Sequence, residues 1–450
     1  MSEYRKYWNE ERETMSSKDR ARFIFERVKR QLDYVYARTP FYRNLYDKHN
    51  VRPDSIRSLE EFTEKIPIVT KQMLRESQER LPPFGDYLAI DPSEIRHIHG
   101  TSGTTGMPTM FGISEADWEF MSEATAMQQW AAGMRPDDVV QISFPMSLFL
   151  GGWGMLGGAQ KIGARIMPIG GGETERQIKL MYHASSTVLC ATPSYCLYLL
   201  DAGRKAGVNT AHSPLRLALL GGEPGAGIPQ VKQIMEQGWG IKAIDFGNSA
   251  EVHPCSNMEC DQRAGMHVWN DVVYTEVVSK DDSNSPVPMG SRGAVVYTAL
   301  WRNSQPMIRY WPGDETLMID EPCSCGRTYP RLPHGVIGRL DDLLIIRGVN
   351  VYPSAIEQAL REVSGIGVEF RIYTTRVSGS IIDARVEAES DQLQDASIRE
   401  EAERKLRSTT GVRIPVTLVA SGTFSRAALK ARRVVETVDK HTSLERNHND

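Results

Sequence analysis

Four short apolar runs, separated by stretches with helical spacing, limit this chain to few architectures. They are Val139-Val140-Gln141-Ile142-Ser143-Phe144, Ala164-Arg165-Ile166-Met167-Pro168-Ile169, Ser186-Thr187-Val188-Leu189-Cys190-Ala191 and Leu215-Arg216-Leu217-Ala218-Leu219-Leu220. The last is stopped by Gly221. Strands alternating with helices predict an α/β architecture with mostly parallel sheet. The pattern changes over residues 265–320. There Val272-Val273-Tyr274-Thr275-Glu276-Val277-Val278 and Gly293-Ala294-Val295-Val296-Tyr297-Thr298-Ala299-Leu300 read as strands with no long helix between them. That predicts an antiparallel, barrel-like part. Residues 1–80 read as mostly helical and charged, with breaks at Thr39-Pro40 and Arg52-Pro53.

The chain has 450 residues, enough to bury a large core in two or three domains. Its net charge of −4 gives no general affinity for nucleic acid or an anionic membrane. The one basic cluster, Lys430-Ala431-Arg432-Arg433, is too short for a nucleic-acid patch. No apolar run approaches the roughly 20 residues that span a bilayer. The start, Met1-Ser2-Glu3-Tyr4-Arg5-Lys6, leads into a charged helix and not a signal peptide. A cytoplasmic location is expected. The tail after about His441 is polar and is expected to be disordered.

Six cysteines occur. Cys190 and Cys196 stand in hydrophobic sequence and read as buried thiols. In a reducing compartment the other four, Cys255, Cys260, Cys323 and Cys325, suggest metal more than disulfides. Cys260-x6-His267 with Cys323-x-Cys325 offers three thiolates and an imidazole, a set that suits a closed, structural Zn²⁺ site. His253 and Cys255 compete for a ligand position, and separate buried thiols are the alternative.

Residues 100–109 hold three glycines and five hydroxyl side chains, in Gly100-Thr101-Ser102-Gly103-Thr104-Thr105-Gly106-Met107-Pro108-Thr109. Such a segment can turn consecutive N–H groups toward one point and form an anion nest, for which a polyphosphate is the natural guest. It is not a Walker A loop, since the Gly-Lys-Ser/Thr ending is absent, and it lacks the spacing of a dinucleotide fingerprint. A flexible linker is the alternative. The apolar-alternating run Ile95-Arg96-His97-Ile98-His99 just before the loop argues against it.

This loop resembles the phosphate loop of the adenylate-forming (acyl-CoA synthetase) superfamily. Other segments sharpen the likeness toward the phenylacetate–CoA ligase branch. They are Ala37-Arg38-Thr39-Pro40-Phe41-Tyr42-Arg43, Ile66-Pro67-Ile68-Val69-Thr70-Lys71, Gly170-Gly171-Gly172-Glu173-Thr174-Glu175-Arg176-Gln177, Thr192-Pro193-Ser194-Tyr195, Gly221-Gly222-Glu223-Pro224, Ile308-Arg309-Tyr310 and the run from Gly338-Arg339-Leu340-Asp341-Asp342 to Asn350-Val351-Tyr352-Pro353. The likeness runs from about Tyr4 to about Val435.

The resemblance implies roles for particular residues. Thr101, Ser102, Gly103, Thr104, Thr105 and Gly106 would hold phosphates. Gly222, Glu223, Pro224, Asp245 and Phe246 would belong to the ATP/AMP site. Glu251 would bind Mg²⁺, Asp314 the ribose hydroxyls, and Arg339 ribose or phosphate. Asp341 would be the hinge. Arg347 and Gly348 would line the path of coenzyme A, with a plain turn as the alternative. Lys430 would be the catalytic lysine that bridges the substrate carboxylate and the α-phosphate. Phe144, Met146, Phe149 and Trp153 would line the acyl pocket, where aromatic walls suit an aryl acid. The sequence departs from the family pattern at Met107, where a lysine is common, and at Gly247, where the adenine-stacking tyrosine falls. The lead into Lys430 is also altered.

The expected fold is α/β. A large N-terminal adenylation domain of several subdomains spans 1–338, with mostly parallel sheets and a barrel-like antiparallel part. A hinge follows at 339–341 and a small mobile α+β domain at 342–450. The expected activity is ATP-dependent ligation of an aryl carboxylic acid, such as phenylacetate or a substituted benzoate, to coenzyme A through an acyl-AMP. Mg²⁺ and structural Zn²⁺ would serve as cofactors, and a homodimer is left open. Two rivals remain, a stand-alone adenylation enzyme that loads a carrier-protein thiol and a catalytically silent nucleotide-binding relative.

Overall fold

Helices open the chain because local signals start and stop them cleanly. Ser16 caps the helix Ser17–Arg38 by accepting the Asp19 N–H. Thr39 ends that helix, its N–H bonding to Val35, and also caps the next helix, Pro40–Lys48, with Pro40 at its first turn. Ile24, Val28, Leu32 and Val35 form one stripe at helical spacing and are buried. The structure, a computed structural model, describes residues 4–101, 107–377, 380–424 and 433–438. The polar tail beyond His441 lies outside them.

The predicted strands assemble into an eight-stranded sheet. Arg165–Met167, Val139–Ile142, Val188–Ala191, Leu217–Gly221 and Lys242–Ser249 run parallel in that spatial order. His253–Glu259, Met266–Val268 and Arg331–Leu332 continue the sheet antiparallel. Side-chain alternation sorts the parallel strands onto two cores. Val140, Ile142, Val188, Cys190, Leu217, Leu219 and Ile244 pack beneath the helices Glu115–Ala132 and Leu150–Ile162. Leu189, Ala191, Ala218, Leu220 and Ala243 face the helices Thr174–His183, Pro193–Lys205 and Pro229–Trp239. Both faces are covered, which explains why these strands read as continuous apolar runs.

The second sheet supplies the barrel-like part. Val273–Val278 pairs antiparallel with Arg292–Ala299, and the latter with Tyr310–Trp311 and Asp314–Leu317. The edge strand Gly338–Arg339 pairs with Asp314–Leu317, so Arg339 stands opposite Asp314. The expected hinge at 339–341 therefore begins inside a strand, and the chain bends in the turn Leu340–Asp342 that follows.

Beyond this turn a separate core forms, built from residues 344–416. Its four-stranded sheet runs in the order Val416–Ala420, Ser380–Ser390, Phe370–Val377, Val434–Val438. The helices Pro353–Arg361 and Ala396–Thr410 pack against it through Ile356, Leu360, Ile398 and Leu406. Among the described residues no helix is long and apolar enough to cross a membrane.

The N-terminal segment is fastened by buried charges. Arg12 meets Asp271 at 2.7 Å, and Glu13 meets Arg327 at 2.6 Å. Both carboxylates are fully buried. Losing one partner of such a pair costs about 3–5 kcal/mol, far more than a surface pair contributes.

Candidate active site

The glycine-rich segment connects two strands of a hairpin, Ile95–Gly100 and Met110–Ser114. At its base the Thr101 N–H donates to the Thr109 carbonyl at 3.1 Å, and the Thr109 N–H to Thr101 Oγ1 at 3.3 Å. Ser102, Gly103, Thr104, Thr105 and Gly106 lie outside the described residues. Met107, at the far side of the loop, is almost fully exposed. The Gly100 N–H donates to the Leu148 carbonyl at 2.9 Å, which ties the loop to the segment that carries Phe149.

Glu251 follows the strand Lys242–Ser249 and is buried. The Ser249 hydroxyl donates to its Oε2 at 2.8 Å, and Lys71 Nζ lies 3.4 Å from its Oε1. Burial alone would raise the Glu251 carboxyl. Lys71, Ser249 and the Tyr310 hydroxyl outweigh burial and hold it below the usual glutamate range. Glu251 is thus an ionised acid placed next to a cation, not a solvated surface acid. Sequence reasoning did not single out Lys71. The available signal was its place after Thr70, which caps the helix Lys71–Arg80.

Phe144, Phe149 and Gly222 converge. The two rings lie 6.2 Å apart, and a Cβ placed on Gly222 would stand 3.9 Å from each and 3.8 Å from Thr192. Gly222 has φ +90°, a conformation that favours glycine. Met146 lies behind Phe144, across from Gly152. Trp153 points elsewhere: its Nε1 donates to the Ser147 carbonyl, and its ring stands 6.3 Å from His99. Phe246 is buried, edge-on to Phe144 at 6.1 Å, so it backs this wall. Glu223 accepts from the Ser194 N–H at 2.9 Å and from its hydroxyl, which holds the Gly221–Pro224 turn against the helix Pro193–Lys205. Pro224 is exposed.

Asp245 faces a cleft of about 160 Å³ lined by Gly227, Lys232, Glu259, Met266 and Gly335. A Cβ on Gly227 or Gly335 would come within 2.8 Å of its Oδ2, so the buried carboxyl needs small residues at both positions. Burial, with the Glu259 carboxylate beside it and Lys232 only partly offsetting, pushes the Asp245 carboxyl up to about 8. The folded state then holds a proton that the unfolded chain releases near its ordinary pKa of 3.8. The Asp245 contribution to stability therefore falls as pH rises from about 4 to about 8. Asp245→Asn should flatten that fall. Thermal midpoints across this range test it, and an unchanged slope in the variant would refute it.

Asp314 and Arg339 sit opposite each other on neighbouring strands, beside Gly313. The Arg339 guanidinium binds Asp341 in a two-pronged contact, 2.8 and 2.7 Å. Arg347 and Gly348 form the two-residue turn between Leu344–Ile346 and Val349–Val351, with φ +50° and +81°. Positive φ at both positions is the hairpin geometry that fits strand twist. A Cβ on Gly348 would meet nothing within 4 Å. Arg347 pairs with Asp383 at 2.8 Å. Lys430 lies outside the described residues.

The structure brings Cys260, His267, Cys323 and Cys325 together, with all four ligand atoms within 4.8 Å of one another. Cys260 Sγ and Cys323 Sγ are 3.8 Å apart, and Cys325 Sγ is 3.3 Å from His267 Nε2. A tetrahedral zinc with Zn–S of about 2.3 Å needs S···S near 3.8 Å. The Cys260 thiol and His267 hold Cys325 well below the usual thiol range. Cys255 and His253 lie outside this group. His253 Nδ1 contacts the Cys255 carbonyl at 2.6 Å, and the Cys255 thiol bonds to the Asn257 carbonyl.

A family model described as AMP-binding enzyme matches residues 6–311. A second, described as AMP-binding enzyme C-terminal domain, matches residues 348–437. The chain belongs to the AMP-binding enzyme family. It is similar to the phenylacetate–coenzyme A ligase of Thermus thermophilus, 36% identical over 433 residues, which cover 91% of this chain and 95% of that protein. A 2-hydroxyisobutyryl-CoA ligase, solved in its postadenylation state with an acyl-AMP, superposes with TM-score 0.93 at 38% identity, over 98% of this chain and 94% of that one. The same ligase in its thioesterification state, with acyl-AMP and CoA, reaches only 0.75 at 40% identity over the same shares of both chains. This AMP-binding enzyme is therefore an AMP-forming acyl-CoA ligase of the phenylacetate–CoA ligase-like branch, acting through an acyl-AMP on small-molecule substrates.

Proposed function

We propose that this enzyme activates an aryl carboxylic acid. The observation that carries the reading is the aromatic wall of Phe144 and Phe149, which close on Gly222 at van der Waals distance and give the kind of surface that suits a planar acid. In the first half-reaction a carboxylate oxygen bonds to the α-phosphorus of ATP as the bond to the β-phosphate breaks, and pyrophosphate leaves. In the second, the CoA thiol forms a C–S bond to the acyl carbon and AMP leaves. The residues do little covalent work; they position groups and neutralise charge.

The roles proposed are these. The Thr101–Gly106 loop receives the phosphates, and Lys71 adds the nearby cation that Met107 does not. Asp245 meets the base in its cleft, and Asp314 the ribose. The ionised Glu251 fits Mg²⁺, which binds through one or two carboxylates together with substrate phosphates. When bound, the ion would screen the departing pyrophosphate. Lys430 bridges carboxylate and α-phosphate. Asp341 is the hinge between a unit of residues 1–338 and one of 342–450, and the Arg347–Gly348 turn faces the thiol path after rotation. The higher similarity to the postadenylation state of the solved relative supports reading the present arrangement as the adenylation side of the cycle.

A second reading, a short branched hydroxy acid, is favoured by the likeness to the 2-hydroxyisobutyryl-CoA ligase. CoA-dependent AMP release over phenylacetate, benzoate, aminobenzoates and 2-hydroxyisobutyrate separates the two. Turnover confined to the hydroxy acid would overturn the aryl reading.

Zinc is proposed at Cys260, His267, Cys323 and Cys325. With four protein ligands the site is closed and contributes to folding. Purified protein should carry about one Zn²⁺ per chain. Cys323→Ser should lower zinc content and the thermal midpoint together, with activity falling only as stability does. Full zinc retention in that variant would contradict the ligand set.

A further inference from the structure

Glu251 is held from behind by a cation that the reaction itself does not require. Arg302 is buried, and its NH1 donates to the Glu251 carbonyl at 2.7 Å. The turn that carries it is clamped to the helix Glu115–Ala132, because the Asn303 and Ser304 N–H groups both donate to the Asp117 carboxylate, at 3.0 and 2.7 Å. Phe111 lies on the other side, its ring 5.5 Å from the guanidinium carbon. The Nε and NH2 groups of Arg302 have no hydrogen-bond partner among the described residues. A buried guanidinium with two free donors is costly unless something satisfies it.

A second orphan faces the same space. His253, two residues beyond Glu251, is buried. Its Nδ1 lies 2.6 Å from the Cys255 carbonyl and 3.1 Å from the Cys255 N–H; with the shorter contact as the hydrogen bond, the ring proton sits on Nδ1 and Nε2 is an acceptor. Nε2 has no partner among the described residues. Arg302, His253 and Asp117 all line one cavity of about 10 Å³, between Val252 and Trp301. That is room for about one water; most of the lining is apolar, and Arg302 and His253 bring to it the free donors and the free acceptor that would hold one.

We propose that Arg302 is a positioning residue for Glu251, which it holds directly at the backbone and indirectly through one buried water shared with His253. The turn of residues 251–253 is thereby fixed at both ends, so the Glu251 carboxylate keeps its place against Ser249 and Lys71. This rests on the reading of Glu251 as the Mg²⁺ ligand. Partners that orient a metal ligand act on metal affinity before they act on anything else.

The test uses Mn²⁺ in place of Mg²⁺, with its binding to the ATP-saturated full-length enzyme read by electron paramagnetic resonance. Arg302→Met should weaken Mn²⁺ binding by about tenfold, while the KM for the acid shifts by less than about twofold. Arg302→Lys should restore most of the loss, since one donor can still reach the Glu251 carbonyl. His253→Leu, which keeps Arg302 but removes the acceptor, should weaken binding by about threefold. Glu251→Gln serves as the reference and should weaken it at least as much as Arg302→Met. Adding Arg302→Met to Glu251→Gln should cause little further loss, because both act through one group. Wild-type Mn²⁺ binding in Arg302→Met, with loss in Glu251→Gln, overturns the positioning role and leaves Glu251 as the ligand. Wild-type binding in Glu251→Gln overturns the Glu251 reading itself. Unchanged binding in His253→Leu overturns the shared water, and it does so even if Arg302→Met fails to fold.

Discussion

Lys430→Ala should cut acyl-AMP formation by roughly a hundredfold or more, on the order of 3 kcal/mol. The charge it would neutralise grows only as the carboxylate attacks the α-phosphate, so the loss should fall on kcat more than on KM. Thioester formation from supplied acyl-AMP should be affected much less, because the domain carrying Lys430 would by then have turned away. Single-turnover assays of each half-reaction check this. Equal losses in both would remove Lys430 from the role.

Asp341→Pro should divide the two half-reactions in a definite direction. Asp341 lies in the turn Leu340–Asp342, whose 3₁₀ backbone is compatible with the φ of about −65° that proline imposes. Proline thus stiffens this turn, with some strain on Leu340 before it, while the arrangement described here is closer to the postadenylation than to the thioesterification state of the solved relative. Adenylation should stay near the parent rate. Thioester formation should drop by about tenfold or more, or about 1.4 kcal/mol. Asp341→Ala controls for the lost ion pair with Arg339. Parent rates in both half-reactions of Asp341→Pro would rule out this position as the hinge.

Much of the architecture was legible because its signals are local. The apolar runs at 139, 164, 186 and 215 became neighbouring parallel strands, since each carries enough β-branched and aliphatic residues to be buried on both faces. The Thr39-Pro40 break proved to be a shared cap. The segment Leu150–Ile162 was not legible as a helix. It holds five glycines, each costing about 1 kcal/mol relative to alanine. Packing overrides that cost: a Cβ on Gly154 would fall 2.1 Å from Pro254, and one on Gly157 2.5 Å from Ser122. Only glycine lets this helix lie so close to its neighbours.

The candidate site divides in the same way. The three cysteines and the histidine could be chosen by chemical type, and the fold then brought together these four residues spread over 66 positions. Lys71 and Arg302 could not be chosen so. Each meets the Glu251 region only through tertiary structure, Lys71 from the opening helices and Arg302 from the turn after Arg292–Ala299. Nothing in the local sequence marks Arg302 as different from the chain's many other basic residues, and the Thr70 cap beside Lys71 marks only the start of a helix. The Gly247 departure has a physical counterpart, since Phe246 beside it is buried behind Phe144 and so backs the Phe144–Phe149 wall.

The buried pair of Glu13 and Arg327 has a consequence for how the chain is made. The two residues are 314 positions apart. At about 5–20 residues per second, the ribosome adds Arg327 roughly 15–60 s after Glu13. Asp271, the partner of Arg12, also comes late. Throughout that interval the opening helices carry charges whose partners do not yet exist, so they cannot dock in their final place. The nascent chain must leave its own beginning undocked until most of the protein has emerged, and the N-terminal segment is among the last parts of the larger unit to settle.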